Sequence, residues 1–150
     1  AYIGDCTYES RYVGYYQTLL THHIPFDYRY VHPSTQTEEE GNRIMNDILK
    51  EEDPPTAIFC ANDCTALGVL RSLKKGRKKN YFPSVIAIDN IRKSAKTSPM
   101  LTTIDIPKQE LAHFALLLLL DQQKKAHKEC VRIELPCRLI ERDSCTYAPS

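Results

Sequence analysis

Apolar residues along this 150-residue chain switch repeatedly between short unbroken runs and a helical period, which predicts strands alternating with helices. Tyr2, Ile3 and Gly4 read as the end of a strand. Residues 8–20 follow as a helix with Tyr12, Val13, Tyr16, Leu19 and Leu20 on one face. Residues 24–31 form a strand candidate in which Phe26, Tyr28 and Tyr30 alternate. A helix starts near 35–37, where Thr35/Glu38 and Thr37/Glu40 both have capping-box spacing, and Ile44/Ile48 with Met45/Leu49 mark its buried side. Asp53-Pro54-Pro55 breaks the pattern before a strand over 57–61. The next helix buries Leu67, Leu70 and Leu73 and stops at Lys74-Lys75-Gly76. A strand over 85–88 leads into an irregular polar loop, 89–99. Residues 101–106 are extended again, and Pro107 suits the first position of a helix running to about residue 123. Strands over 131–135 and 138–140, divided by Pro136, complete the order. Such alternation implies an α/β fold with a doubly wound, mainly parallel sheet. One helix jars with a compact single layer: Leu111, Phe114 and residues 116–120 make it apolar over most of its circumference, so it needs cover on more than one side.

Two strands end in side chains that carry chemistry. The run Ala57-Ile58-Phe59-Cys60-Ala61 stops at Asn62-Asp63 just before a helix, and Ser84-Val85-Ile86-Ala87-Ile88 stops at Asp89-Asn90. Open α/β sheets place ligand contacts at the carboxyl ends of their strands. Asn62 or Asp63 can equally cap the following helix, and Asp89 can bond its own backbone in a turn. Carboxylate and carboxamide groups gathered at one sheet edge suit a polar small molecule.

Composition narrows the classes. Charged residues make up 26% and the net charge is +1, which indicates neither a nucleic-acid-coating protein nor a disordered tail. The cluster Lys74-Lys75-Gly76-Arg77-Lys78-Lys79 reads as a solvated helix end rather than a DNA contact. The six cysteines, Cys6, Cys60, Cys64, Cys130, Cys137 and Cys145, include no C-x-x-C pair, and several fall in apolar runs. No metal site is expected, His22-His23 included, because neighbouring helical residues point apart. A reduced, cytoplasmic protein is the plain reading. The apolar run 114–120 is far short of the about 20 residues that span a bilayer, so no membrane partner is expected. The chain opens in mid-strand without Met, which points to a fragment of a longer protein. No nucleophile–base pair or Gly-rich phosphate loop suggests an enzyme or a cofactor.

The segments Arg11-Tyr12-Val13-Gly14-Tyr15, 55–70, Val85-Ile86-Ala87-Ile88-Asp89-Asn90, Leu101-Thr102-Thr103-Ile104 and Leu139-Ile140-Glu141-Arg142-Asp143-Ser144 occur in an order and spacing that resemble the lactose-repressor/galactose-repressor family of bacterial transcription regulators. Their effector-binding region resembles periplasmic sugar-binding proteins. The resemblance covers the last part of that architecture. It implies that residues 1–103 form most of a C-terminal lobe, 104–135 an excursion into an N-terminal lobe, and 136–150 the return. Helix-turn-helix and most of the N-terminal lobe would lie outside the chain, and the over-apolar helix would pack on that other lobe. Ala87 stands where the family usually has Gly, and Gln36 where it often has an aromatic stacking residue.

By resemblance, Arg11, Asn62 and Asp89 converge on a ligand, with Asp63 and Gln36 as further candidates. Guanidinium, carboxylate and carboxamide groups match the paired hydroxyls of a sugar. The implied ligand is a sugar, or else a sugar phosphate or a purine. Ala66, Leu67 and Gly68 match a homodimer interface, with ordinary helix packing as the alternative. The expected function is effector sensing that controls operator DNA through the absent N-terminal domain, without catalysis. A periplasmic sugar-binding component of a transporter is the alternative.

Overall fold

The computed structural model describes residues 1–5, 9–76, 81–124 and 129–146. Tyr8 and Cys6, and the basic run 77–79, lie outside them. In chain order the elements are β1 (Tyr2–Gly4), α1 (Ser10–Thr21), β2 (Val31–Pro33), α2 (Glu38–Ile48), β3 (Ala57–Cys60), α3 (Asp63–Lys75), β4 (Ser84–Ile88), β5 (Thr102–Asp105), α4 (Lys108–Gln123) and β6 (Arg138–Ile140). One six-stranded sheet runs β2-β1-β3-β4-β5-β6. The first five strands are parallel, and β6 lies antiparallel on β5 with Ile104 opposite Leu139. The doubly wound, mainly parallel α/β sheet therefore forms as the alternation predicts.

The two sheet faces are built differently. Ile3, Ile58, Cys60, Val85 and Ala87 meet Ile44, Met45 and Ile48 of α2 and Ala66, Val69 and Leu70 of α3 in one buried core. Alternate residues point to opposite faces of a strand. Tyr2 and Phe59 accordingly face α1, where the Tyr2 ring lies 5.6, 5.5 and 5.6 Å from those of Tyr12, Tyr15 and Phe59. Tyr15 is thus a packing residue, and Tyr16 packs against Phe26 at 4.8 Å. Cys60 belongs to the core, and burial pushes its thiol far up from the ordinary range. Cys64, Cys130, Cys137 and Cys145 are exposed thiols.

Several elements depart from the pattern reading. Residues 24–31 do not form a strand: Asp27 accepts the Arg29 N–H at 2.9 Å and holds Tyr28–Tyr30 in a 3-10 turn, so pairing begins only at Val31. Residues 131–135 form no ladder, because β6 takes the edge of β5 and no described strand lies beside them; Val131 and Ile133 are exposed. Half of one capping box forms at α2. The Thr37 hydroxyl accepts the Glu40 N–H at 3.3 Å, but the Glu40 carboxylate turns to Arg43 at 3.0 Å. Pro107 precedes α4 as its N-cap instead of occupying its first turn.

Helix α4 has no buried residue, and Leu111, Leu116, Leu117, Leu119 and Leu120 are all exposed. The pattern called for cover on more than one side of this helix, and among the described residues nothing buries it. The small residues of α3 have an explanation inside the chain. A Cβ on Gly68 would sit 2.0 Å from the Glu38 carbonyl oxygen, and one on Gly41 would sit 2.1 Å from that of Thr65. Gly68 is buried in this α2–α3 contact, which requires its small size inside the chain, and Ala66 and Leu67 are buried as well.

Because the obstructing atoms are backbone, Gly68→Ala should destabilise the fold by about 3 kcal/mol in urea titrations. Gly14→Ala is the control, since nothing lies within 4 Å of a Cβ there and alanine gains about 1 kcal/mol over glycine in an exposed helix.

Candidate functional site

The carboxyl ends of β1, β3, β4 and β5 share one edge of the sheet, and the candidate residues collect there. Arg11, in the first turn of α1, reaches across to β3: its Nη1 donates to the Ala61 carbonyl at 2.6 Å, while its Nε pairs with Glu9. Asn62 is the N-cap of α3, its Oδ1 accepting the Thr65 N–H at 2.9 Å. Its Nδ2 donates to the Gln36 carbonyl at 3.1 Å, which brings the 34–37 loop to the same rim. Gln36 itself has φ 63°, a left-handed conformation, and is half-buried. Arg11, Asn62 and Gln36 are therefore neighbours, and each is partly exposed.

Asp63 is different. It is fully buried, its Oδ1 accepting the Thr103 hydroxyl at 2.6 Å and its Oδ2 the Ile91 N–H at 2.8 Å. Both oxygens are committed to protein donors, so Asp63 ties the rim to β5 and to the loop after β4. A buried carboxylate without such partners would be costly.

Asp89 and Asn90 form a corner with φ 122° and 49°. Two consecutive non-glycine residues at positive φ cost on the order of 1–3 kcal/mol each and persist only when their surroundings hold them. The Asp89 N–H donates to the Ile104 carbonyl at 2.9 Å, and the Asp89 carbonyl accepts the Lys108 ammonium. The Asp89 carboxylate is half-buried above the N-terminus of α3. Burial pushes its pKa above the usual carboxylate range, and the nearby charge of Asp63 adds to this. Arg11, Lys108 and the Asp63 N–H pull the other way, which places Arg11 and Asp89 within electrostatic reach of each other. Arg11, Asn62 and Asp89 thus arrive from three strand–helix corners at one rim.

Arg11, Gln36, Asn62 and Asp89 are each partly exposed, so the rim forms a polar shelf. A concavity of about 510 Å³ lies beneath α1, lined by Tyr15, Leu19, Phe59 and Ile86. Another of about 420 Å³ lies between α3 and the 94–96 turn, and neither includes the rim residues. Chemically the shelf presents a carboxylate, a guanidinium and a carboxamide, a set able to bind adjacent hydroxyls in pairs.

Sequence reading missed two participants. Lys108 sits in the first turn of α4, where the helix dipole disfavours a cation. That misplaced charge was the available signal, and its contact with Asp89 explains it. Arg142 was visible only as part of a motif, and its Nη2 donates to Asn90 Oδ1 at 2.7 Å.

The raised Asp89 pKa has a consequence for stability. The folded protein holds that proton more tightly than the unfolded chain, so the Asp89 contribution to stability is fully present at low pH and is lost as pH rises through the window up to the raised value. Asp89→Asn should flatten that decline in ligand-free thermal melts recorded from about pH 4 to about pH 7. An unchanged slope would show that Asp89 titrates as it does in the unfolded chain.

A periplasmic binding protein-like domain model matches residues 1–145. The HTH-type transcriptional repressor CytR of Escherichia coli K12 is 38% identical over 91% of this chain. The matched region spans 40% of that repressor, so the chain covers about two fifths of the length of such relatives. Among solved structures, a LacI transcriptional regulator of Bacillus cereus subsp. cytotoxis is 28% identical, with a TM-score of 0.89 over 97% of this chain and 54% of its own. A LacI family transcriptional regulator of Enterococcus faecium, solved with bound ribose, is 29% identical with a TM-score of 0.80, over 95% of this chain and 55% of its own.

Proposed function

This chain belongs to the periplasmic binding protein-like family, and on that premise we propose that it is the effector-sensing part of a LacI-type transcriptional repressor that binds a small sugar. The observation that carries this reading is the convergence of Arg11, Asn62 and Asp89 on one open rim at the strand ends. The ribose found in the Enterococcus faecium neighbour favours a sugar over a sugar phosphate or a purine. Among the described residues the rim has no phosphate-binding cluster: Arg11 already pairs with Glu9, and Asp63 and Asp89 add negative charge.

On this reading residues 1–103 and 136–150 belong to one lobe, and 104–135 cross to a second lobe whose sheet covers the leucines of α4. The ligand lies between the rim and that lobe, and its binding changes the lobe orientation that an N-terminal DNA-binding segment senses. Two copies pair through the outer surface of α3 near Leu67 and the loop before Leu101, since Gly68 faces α2. The protein works in the cytoplasm, reaches operator DNA only through that N-terminal segment, and uses neither cofactor nor catalysis. The energy it supplies is a coupling between two binding sites. The names of its relatives favour this over a transport component.

Thermal-shift titration of the full-length protein with ribose and a panel of other pentoses and hexoses tests the reading. At least one sugar should raise the melting temperature, and Arg11→Ala or Asp89→Ala should weaken its binding by about 100-fold, the loss of two hydrogen bonds to a charged group. A sugar that binds both variants as it binds wild type would remove the rim from consideration. The 150-residue chain alone should give no specific gel shift with promoter DNA that the full-length protein shifts.

A further inference from the structure

Asp89 can present its carboxylate to a ligand only while the corner at 89–90 keeps its unusual backbone. The corner is held from below by the Asp63 carboxylate on Ile91 and the Thr103 hydroxyl, which accepts the Asn90 N–H at 3.3 Å. Those bonds fix the main chain on one side. The Asn90 side chain is fixed on the other: its Nδ2 donates to Asp105 Oδ1 at 2.9 Å and its Oδ1 accepts Arg142 Nη2 at 2.7 Å.

Arg142 is itself anchored before it meets Asn90. Its Nη1 donates to the Leu101 carbonyl at 2.8 Å and lies 3.3 Å from the Ser94 hydroxyl. Its backbone N–H and carbonyl both bond the Thr102 hydroxyl, at 2.9 and 3.0 Å. A planar guanidinium can serve the loop carbonyl and the asparagine oxygen together, whereas a lysine ammonium is a single point charge. The guanidinium thereby ties the 94–101 loop to the corner, while the backbone of Arg142 holds the chain leaving β6 to the start of β5.

We propose that Arg142 is the positioning residue of the ligand rim, holding the left-handed Asp89–Asn90 corner through Asn90 so that the Asp89 carboxylate stays aimed at bound sugar hydroxyls. It touches no ligand. The proposal rests on the rim being the sugar site, but its first readout needs no sugar.

Hydrogen exchange of the ligand-free full-length protein is measured for wild type and Arg142→Gln. The amides of Asn90 and Ile91 should exchange at least about tenfold faster in the variant, while those of Ile44 and Met45 in α2 keep wild-type rates. Wild-type protection at 90 and 91, or equal acceleration in α2, would overturn the assignment. Should Arg142→Gln fail to fold, Asn90→Gly carries the same expectation for Ile91, because it removes the acceptor and relaxes a positive φ. The second readout is a cycle with ribose as probe. Arg142→Gln alone should weaken ribose binding about tenfold, and by no further factor when Asp89→Ala is already present. Additive losses would mean that Arg142 acts independently of Asp89. If wild type binds no ribose, the choice of sugar fails while the exchange result still decides the role of Arg142.

Discussion

The buried carboxylate of Asp63 is the constraint on which the working edge of this sheet depends. It lies at the first position of α3, where the helix dipole favours a negative charge, and both of its oxygens are taken by donors from other elements. One bond reaches β5 through Thr103, and the other reaches the loop after β4 through Ile91. A single side chain thereby sets the relative positions of three strand ends. The same charge raises the cost of ionising Asp89 nearby, and Arg11 and Lys108 offset that cost. The rim is a set of like and unlike charges balanced around one committed carboxylate, with Asp89 left as the member whose charge is incompletely satisfied. An incompletely satisfied group at a partly exposed edge is where ligand donors gain most.

How the fold reads from its sequence depends on the range of the forces involved. The parallel sheet and its order of elements were legible because buried runs such as 57–61 and periodic faces such as Ile44/Ile48 report their own burial. Residues 24–31 misled because alternating aromatics also pack side by side on a turn, and the Asp27–Arg29 contact, local but not periodic, decided the backbone. Residues 131–135 have strand chemistry yet no partner, since pairing is a property of two segments and only one is present in the described chain.

The site was legible in part for the same reason. Asn62 and Asp89 stand out because a polar residue ending an apolar run is a local event. The division of labour between Asn62, which caps α3 and holds Gln36, and Asp63, which is enclosed, follows from contacts 26 to 40 residues away in sequence. Asp63 stood out as a ligand candidate and is fully buried with both oxygens bonded within the chain. Gly68 stood out as a small residue suited to a subunit contact, and the backbone of α2 already requires its small size within the chain. In both cases the residue type was informative and its partner was not, because a partner is named only by the tertiary fold.

The position of Lys108 bears on how occupancy of the rim could be felt elsewhere. Its ammonium leaves α4 and settles on the Asp89 carbonyl, while Asp105, just before α4, accepts from Asn90. The corner that would hold the ligand is thus bonded to both the end of β5 and the start of α4. Under the proposed reading, β5–α4 is where the chain leaves for the second lobe, so a ligand drawing on the Asp89 carboxylate also changes the electrostatic demand on Lys108. A ligand shifts an equilibrium only by its differential affinity for the two states. Under that reading the difference comes from Asp89: without ligand it faces the charges of Arg11 and Lys108, and a closed state gives it ligand hydroxyls in a drier site, where each hydrogen bond is electrostatically stronger. Exposed leucines on α4 then need not be a defect of the chain, since the segment that carries them is also the one bonded to the ligand corner.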